Sequence, residues 1–147
     1  MDEDQIFELI GKCKHLKYNF VGIYAADNFP LELKPDNFII VNTAKANAPG
    51  QHWILFGTTS YPNRIYYADP LGFSISFYND VFSRLQSKEG ISIINIMQGK
   101  EPLQSLNSQM CGSFCIYIAH YLYNKLFFEI PQVNEVNLLY FLRHMFS

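Results

Sequence analysis

The order of apolar patterns along this chain predicts an α+β fold in a single domain spanning residues 1–147. Three observations carry that prediction. Helical spacing of apolar residues occupies both ends, short β-branched or aromatic runs fill the middle, and the segment from Cys111 to about Leu126 is apolar on nearly every side. With 147 residues, 49% of them hydrophobic and only 16% charged, the chain has ample material for one core and too little charge for a disordered or fibrous class.

Ile6, Leu9, Ile10 and Cys13 recur at helical spacing and predict a short amphipathic helix ending around His15, with Cys13 facing the core. A stretch rich in turn residues, including Asp27-Asn28-Phe29-Pro30 and Lys34-Pro35-Asp36-Asn37, leads into a buried strand at Phe38 to Val41. The segment Ala44 to Gly50 reads as loop. Two apolar runs, His52 to Phe56 and Ile65 to Ala68, flank residues of turn composition from Thr58 to Asn63 and predict a β-hairpin. Phe77, Val81, Phe82 and Leu85 then repeat at helical spacing, and Ile91 to Met97 is β-branched enough for another strand. Gly99 to Ser108 reads as loop, Cys111 opens a central buried helix, and Val136 to Phe146 supplies a covering helix. No repeat, linker or low-complexity tract interrupts this order.

The formal charge of -2 supplies no overall attraction to nucleic acid. No apolar run reaches the roughly 18 residues of a membrane span, and Met1-Asp2-Glu3-Asp4 lacks the basic start of a signal peptide, so a soluble intracellular protein is expected. Three cysteines at 13, 111 and 115 make a poor disulfide framework, and reduced thiols are expected.

A symmetric hairpin turning between Ser60 and Tyr61 opposes Phe56 with Ile65, Ile54 with Tyr67 and His52 with Asp69. Opposed Cβ atoms lie about 5 Å apart, close enough for an imidazole N–H to bond a carboxylate and leave its other nitrogen as a base. Taken singly, a core histidine and an aspartate capping the turn at Pro70-Leu71-Gly72 are the ordinary readings. The thiol changes the balance. Cys111 stands where a loop enters a helix, with Asn107 or Ser108 available as N-cap, and backbone N–H groups at a helix start stabilise both a thiolate and a developing oxyanion. Gly112 leaves room for a substrate backbone. Cys115, inside the helix, reads as a buried core thiol. His120 points about 180° from Cys111 and Cys115 on the helix, which excludes a zinc site built from these three. Gln104 and Gln109 are both available as amide donors to an oxyanion, and spacing alone does not choose between them. His15, His120 and His144 read as structural or exposed.

The segments Gln51-His52-Trp53-Ile54-Leu55-Phe56, Tyr66-Tyr67-Ala68-Asp69-Pro70-Leu71-Gly72, and Gln104 through Met110-Cys111-Gly112 together resemble the adenovirus endopeptidase family, or adenain. The likeness extends from the first helix through Val41-Asn42-Thr43-Ala44 and past Phe114-Cys115, to about Tyr121. It implies an adenain/Ulp1-like fold, a central mixed sheet flanked by helices with the nucleophile at the start of the central helix. It further implies Cys111 as nucleophile, His52 as general base, Asp69 where adenoviral enzymes commonly carry glutamate, and Gln104 as the oxyanion glutamine. Gln104 precedes the cysteine by the seven residues of the adenain pattern, whereas SUMO-specific proteases place theirs one residue closer.

The implied function is maturation of viral capsid precursors by cleavage near glycine, by a monomer in the virion and the host cell interior, cytoplasm or nucleus. Met97-Gln98-Gly99-Lys100 has a faint likeness to such a cleavage site, but an ordinary loop is the better reading. Family members are activated by a disulfide-linked peptide and by DNA. Here Ile91 to Met97 holds no cysteine, the net charge is not basic and the C-terminal end is short, so the sequence requires neither activator. A small relative from a virophage or Polinton-like element fits these departures. A SUMO- or ubiquitin-like isopeptidase of the same clan and a non-catalytic capsid-associated binding protein are the alternatives.

Overall fold

The structure, a computed structural model, describes residues 2–14, 16–46, 52–61, 63–105, 108–124 and 130–145. Its elements in chain order are α1 (Glu3–Lys12), β1 (Phe20–Tyr24), β2 (Phe38–Asn42), β3 (Trp53–Gly57), β4 (Arg64–Ala68), a 3-10 turn (Ile75–Phe77), α2 (Asn79–Gln86), β5 (Ser92–Asn95), α3 (Cys111–Tyr123) and α4 (Glu135–Met145). The strands form one sheet in sequential order, parallel at the two outer pairs and antiparallel within. The fold is therefore α+β with a mixed sheet.

Alternation along the strands divides the apolar side chains between two faces. Phe38, Ile40, Leu55, Tyr66 and Ala68 pack with Ile6 and Ile10 of α1, with α3, and with Leu138 and Leu142 of α4. Ile39, Val41, Ile54, Phe56, Ile65 and Tyr67 pack with Phe29, Leu33 and the α2 residues Val81 and Leu85. Because β2 and β3 are covered on both faces, they read in the sequence as continuous apolar runs. Each such side chain contributes about 1.5–3 kcal/mol by leaving water.

Local chemistry sets the helix ends. At α1, the Asp2 carboxylate accepts the Gln5 N–H at 2.9 Å while the Gln5 side chain accepts the Asp2 N–H at 2.9 Å, a reciprocal cap. That helix stops at Lys12 with Cys13 buried behind it, and the expected endpoint His15 lies outside the described residues. Residues 125 and 126 of the expected central helix, and 146 of the covering helix, also lie outside them.

The structure corrects four sequence expectations. Strand β1 is absent from the apolar pattern because it is a half-buried edge strand whose register breaks between Phe20 and Gly22. Phe77, assigned to a helix by spacing, lies in the 3-10 turn and is 61% exposed. The N-cap of α3 is Met110, without a side-chain cap bond; Ser108 Oγ instead accepts the Met110 N–H at 3.2 Å, and Asn107 lies outside the described residues. In the hairpin, Phe56 faces Tyr67 and Gly57 faces Tyr66, two residues further along β4 than a turn between Ser60 and Tyr61 requires. The turn closes later, where the Arg64 N–H donates to the Tyr61 carbonyl at 3.1 Å.

No described helix is long and apolar enough to cross a membrane.

Candidate active site

A one-residue slip of a strand moves its side chains to the other face, but a two-residue slip does not. His52 and Asp69 therefore become diagonal rather than direct neighbours on one face, within reach of an imidazole. His52 Nε2 lies 2.6 Å from Asp69 Oδ1, and both residues are buried. Asp69 is held by its own turn as well, since Oδ1 accepts the Leu71 N–H at 2.9 Å. The turn-capping reading and the histidine-partner reading of Asp69 thus describe the same carboxylate. Its second oxygen, Oδ2, accepts the Tyr78 hydroxyl.

Cys111 is the first residue of α3, and its thiol is hydrogen-bonded with His52. With Nε2 committed to Asp69, Nδ1 is the ring nitrogen left for the thiol. Burial alone would raise the Cys111 pKa, but the His52 hydrogen bond, the backbone N–H groups of Trp53 and Gly112 and the imidazolium charge bring it below the ordinary thiol range. Burial likewise opposes charge on His52, yet the bond to Asp69, the bond to Cys111 and their two negative charges raise its pKa to about 9. The arrangement favours an imidazolium–thiolate pair. Cys115, one turn along, is fully buried, donates to the Trp53 carbonyl at 3.4 Å and has its thiol pushed well up by burial, as befits a structural cysteine.

Gln104 is tied to the aspartate turn by backbone. The Pro70 carbonyl accepts the N–H groups of both Leu103 and Gln104 at 2.9 Å, so the Pro70–Leu71 peptide unit holds the Asp69 carboxylate by its N–H and anchors the glutamine loop by its carbonyl. The turn itself closes with the Gly72 N–H on the Asp69 carbonyl at 2.8 Å, and Gly72 occupies the left-handed region at φ 83°. Gln104 is buried; its Nε2 donates to the Ser108 carbonyl at 2.9 Å, and Oε1 has no partner among the described residues. Exchanging the two amide atoms would set oxygen against the Ser108 carbonyl, so the nitrogen faces Ser108, with a second N–H to spare. Gln109, the competing amide, is exposed.

His52, Cys111, Gln104 and Gln109 line one cleft of about 810 Å³, together with Asp2 and Glu3 of α1, Tyr24, Asn42 and Leu71. Asp69 stands behind His52 and does not line it. Tyr78 and the Trp53 N–H escaped the sequence reading. Tyr78 reaches Asp69 through the 3-10 turn, which carries no helical or strand period. Trp53 acts through its backbone, which leaves no mark on residue type.

A thiol at a helix start, an imidazole bonded to it and a buried carboxylate behind the imidazole form the constellation that cysteine peptidases use in acyl transfer. In fold, the chain is similar to the crystal structure of the ASFV pS273R protease, with a TM-score of 0.51 over 89% of this chain and 61% of that one, at 10% identity. The chain belongs to the adenovirus endoprotease family, whose model matches residues 20–139. It is 29% identical over 110 residues to the protease of Bovine adenovirus 2, and 31% identical over 113 residues to that of Human adenovirus B serotype 3. Each match covers 69% of this chain and 53% of the relative, so the chain spans about half the length of these curated relatives.

Proposed function

We propose that this chain is a cysteine endopeptidase that cleaves viral precursor proteins. The observation that carries the reading is the Cys111–His52–Asp69 arrangement at the mouth of α3, with His52 Nε2 2.6 Å from a fully buried carboxylate. His52 holds the proton of Cys111, and the thiolate attacks the scissile carbonyl carbon. The oxyanion is met by the Cys111 N–H, which has no partner within the helix, and by the second N–H of Gln104. The His52 imidazolium then protonates the leaving amine, and the C–N bond breaks to give a thioester on Cys111. Water, deprotonated by His52, attacks that thioester and releases the acid, returning the proton to the thiol–imidazole pair.

Membership of the adenovirus endoprotease family supports capsid and other virion precursors as substrates, cut near glycine, and a working location with the virion inside the host cell. The test is incubation of the purified chain with precursor proteins and short glycine-containing peptides, with products identified by mass spectrometry. Cleavage that survives Cys111→Ala would overturn the assignment. Processing of SUMO fusions in preference to precursor peptides would move the reading to an isopeptidase. Iodoacetamide labelling with no preference for Cys111 over Cys13 and Cys115 would support a non-catalytic binding protein.

A further inference from the structure

The two oxygens of the buried Asp69 carboxylate have separate partners. Oδ1 takes His52 Nε2 and the Leu71 N–H, whereas Oδ2 takes the Tyr78 hydroxyl. The last torsion of an aspartate is soft and roughly two-fold, so a contact on the far oxygen adds to the Leu71 N–H in fixing the plane of the carboxylate. Tyr78 is itself fixed. Its N–H donates to the Ile75 carbonyl at 2.9 Å, its carbonyl accepts the Phe82 N–H at 2.9 Å as α2 begins, and its ring meets Phe77 edge-on at 5.2 Å.

We propose that Tyr78 is a positioning residue whose hydroxyl locks the Asp69 carboxylate so that Oδ1 stays on His52. The proposal rests on reading Cys111 and His52 as the reactive pair. Burial first, then the bond to Asp69 and that residue's charge, keep the Tyr78 phenol protonated far above the ordinary tyrosine range, so it donates at any working pH. Among the described residues, the other titratable groups coupled to this site are Tyr67, Cys111 and Cys115. Tyr67 is not a competitor for Oδ2, because its hydroxyl donates to the Phe73 carbonyl at 2.9 Å.

The test uses Y78F, which keeps the ring and removes the hydroxyl, beside D69A and the double variant. Iodoacetamide alkylation of Cys111 against pH reads the thiol–imidazole pair without any substrate. Peptide hydrolysis reads the endopeptidase separately. In Y78F the alkylation limb is expected to move to higher pH, in the same direction as in D69A, while kcat falls about ten-fold and KM changes less than about two-fold. Because Tyr78 acts through Asp69, adding Y78F to D69A is expected to cost nothing further. A limb that stays put or moves to lower pH in Y78F, or losses that multiply in the double variant, would overturn the proposal. If the wild type cuts no peptide, the endopeptidase reading fails while alkylation still decides on Tyr78. If Y78F does not fold, tyrosine labelled at the ζ carbon decides in D69A: the Tyr78 resonance must move when the carboxylate is lost, and an unmoved one refutes the contact.

Discussion

Asp69→Asn keeps the shape of the side chain and removes the charge that His52 reads. Burial then acts on the imidazole with less opposition, and its pKa falls from about 9. For the wild type, kcat/KM is expected to rise on an acid limb below the ordinary thiol range, where the ion pair forms, and to fall on an alkaline limb near pH 9, where His52 loses its proton. In the asparagine variant the alkaline limb is expected at lower pH, with kcat/KM reduced about 10²–10⁴-fold, as a pH–rate series on a peptide substrate would show. Gln104→Ala is expected to lower kcat about 10²–10³-fold with KM little changed, because in the proposed mechanism the lost N–H serves the oxyanion more than the ground state. Steady-state kinetics would separate these two outcomes.

At the scale of elements, two glycines mark where neighbouring side chains press against the space a Cβ would take. A Cβ on Gly57 of β3 would lie 2.9 Å from Leu122 Cδ2, 3.0 Å from the Tyr123 hydroxyl and 3.2 Å from Phe38 Cβ. The single proton of that hydroxyl is shared between the carbonyls of Asn37 and Thr58, at 2.7 and 3.0 Å, tying the end of α3 to the ends of β2 and β3. Gly57→Ala is therefore expected to cost about 1–3 kcal/mol in urea unfolding by overpacking. At Gly72, a side chain would meet Pro102 at 3.2 Å and be forced to a positive φ. Gly72→Ala is expected to cost about 1–2 kcal/mol and also to lower kcat, because the turn it closes carries Asp69 and anchors Gln104. Gly57→Ala, remote from that turn, is expected to leave kcat nearly unchanged at a temperature where it is folded; kinetics below the melting transition would check both.

For the whole molecule, β3 is the shared wall. Leu55 belongs to the layer under α1, α3 and α4, while Ile54 and Phe56 belong to the layer under α2. Loss of either layer strips one face of the same strand, so the described elements are expected to unfold in one transition. Trp53, the single tryptophan, reports on the α3 side by fluorescence, and far-UV circular dichroism reports on all elements. Coincident midpoints in urea are the expected result; separated midpoints would mean that the two layers unfold independently.

The sequence by itself determined most of the elements, because β2, β3 and α3 lie where burial is near complete and the lengths of their apolar runs separate strand from helix. The edge strand β1 and the 3-10 turn at Ile75–Phe77 were illegible for the opposite reason: half-exposed, irregular segments carry no period. The nearness of His52 to Asp69 was legible even with the register misplaced, since a two-residue slip preserves the face of a strand. Choosing Gln104 over Gln109 took the family pattern, because both are loop amides of the same type. Only the tertiary structure showed the Pro70 carbonyl holding Leu103 and Gln104, the Tyr78 hydroxyl on Asp69 and the Trp53 N–H serving Cys111. Those contacts join segments distant in the chain, use backbone atoms that every residue shares or run through an irregular turn, and none of these leaves a pattern of residue types to read.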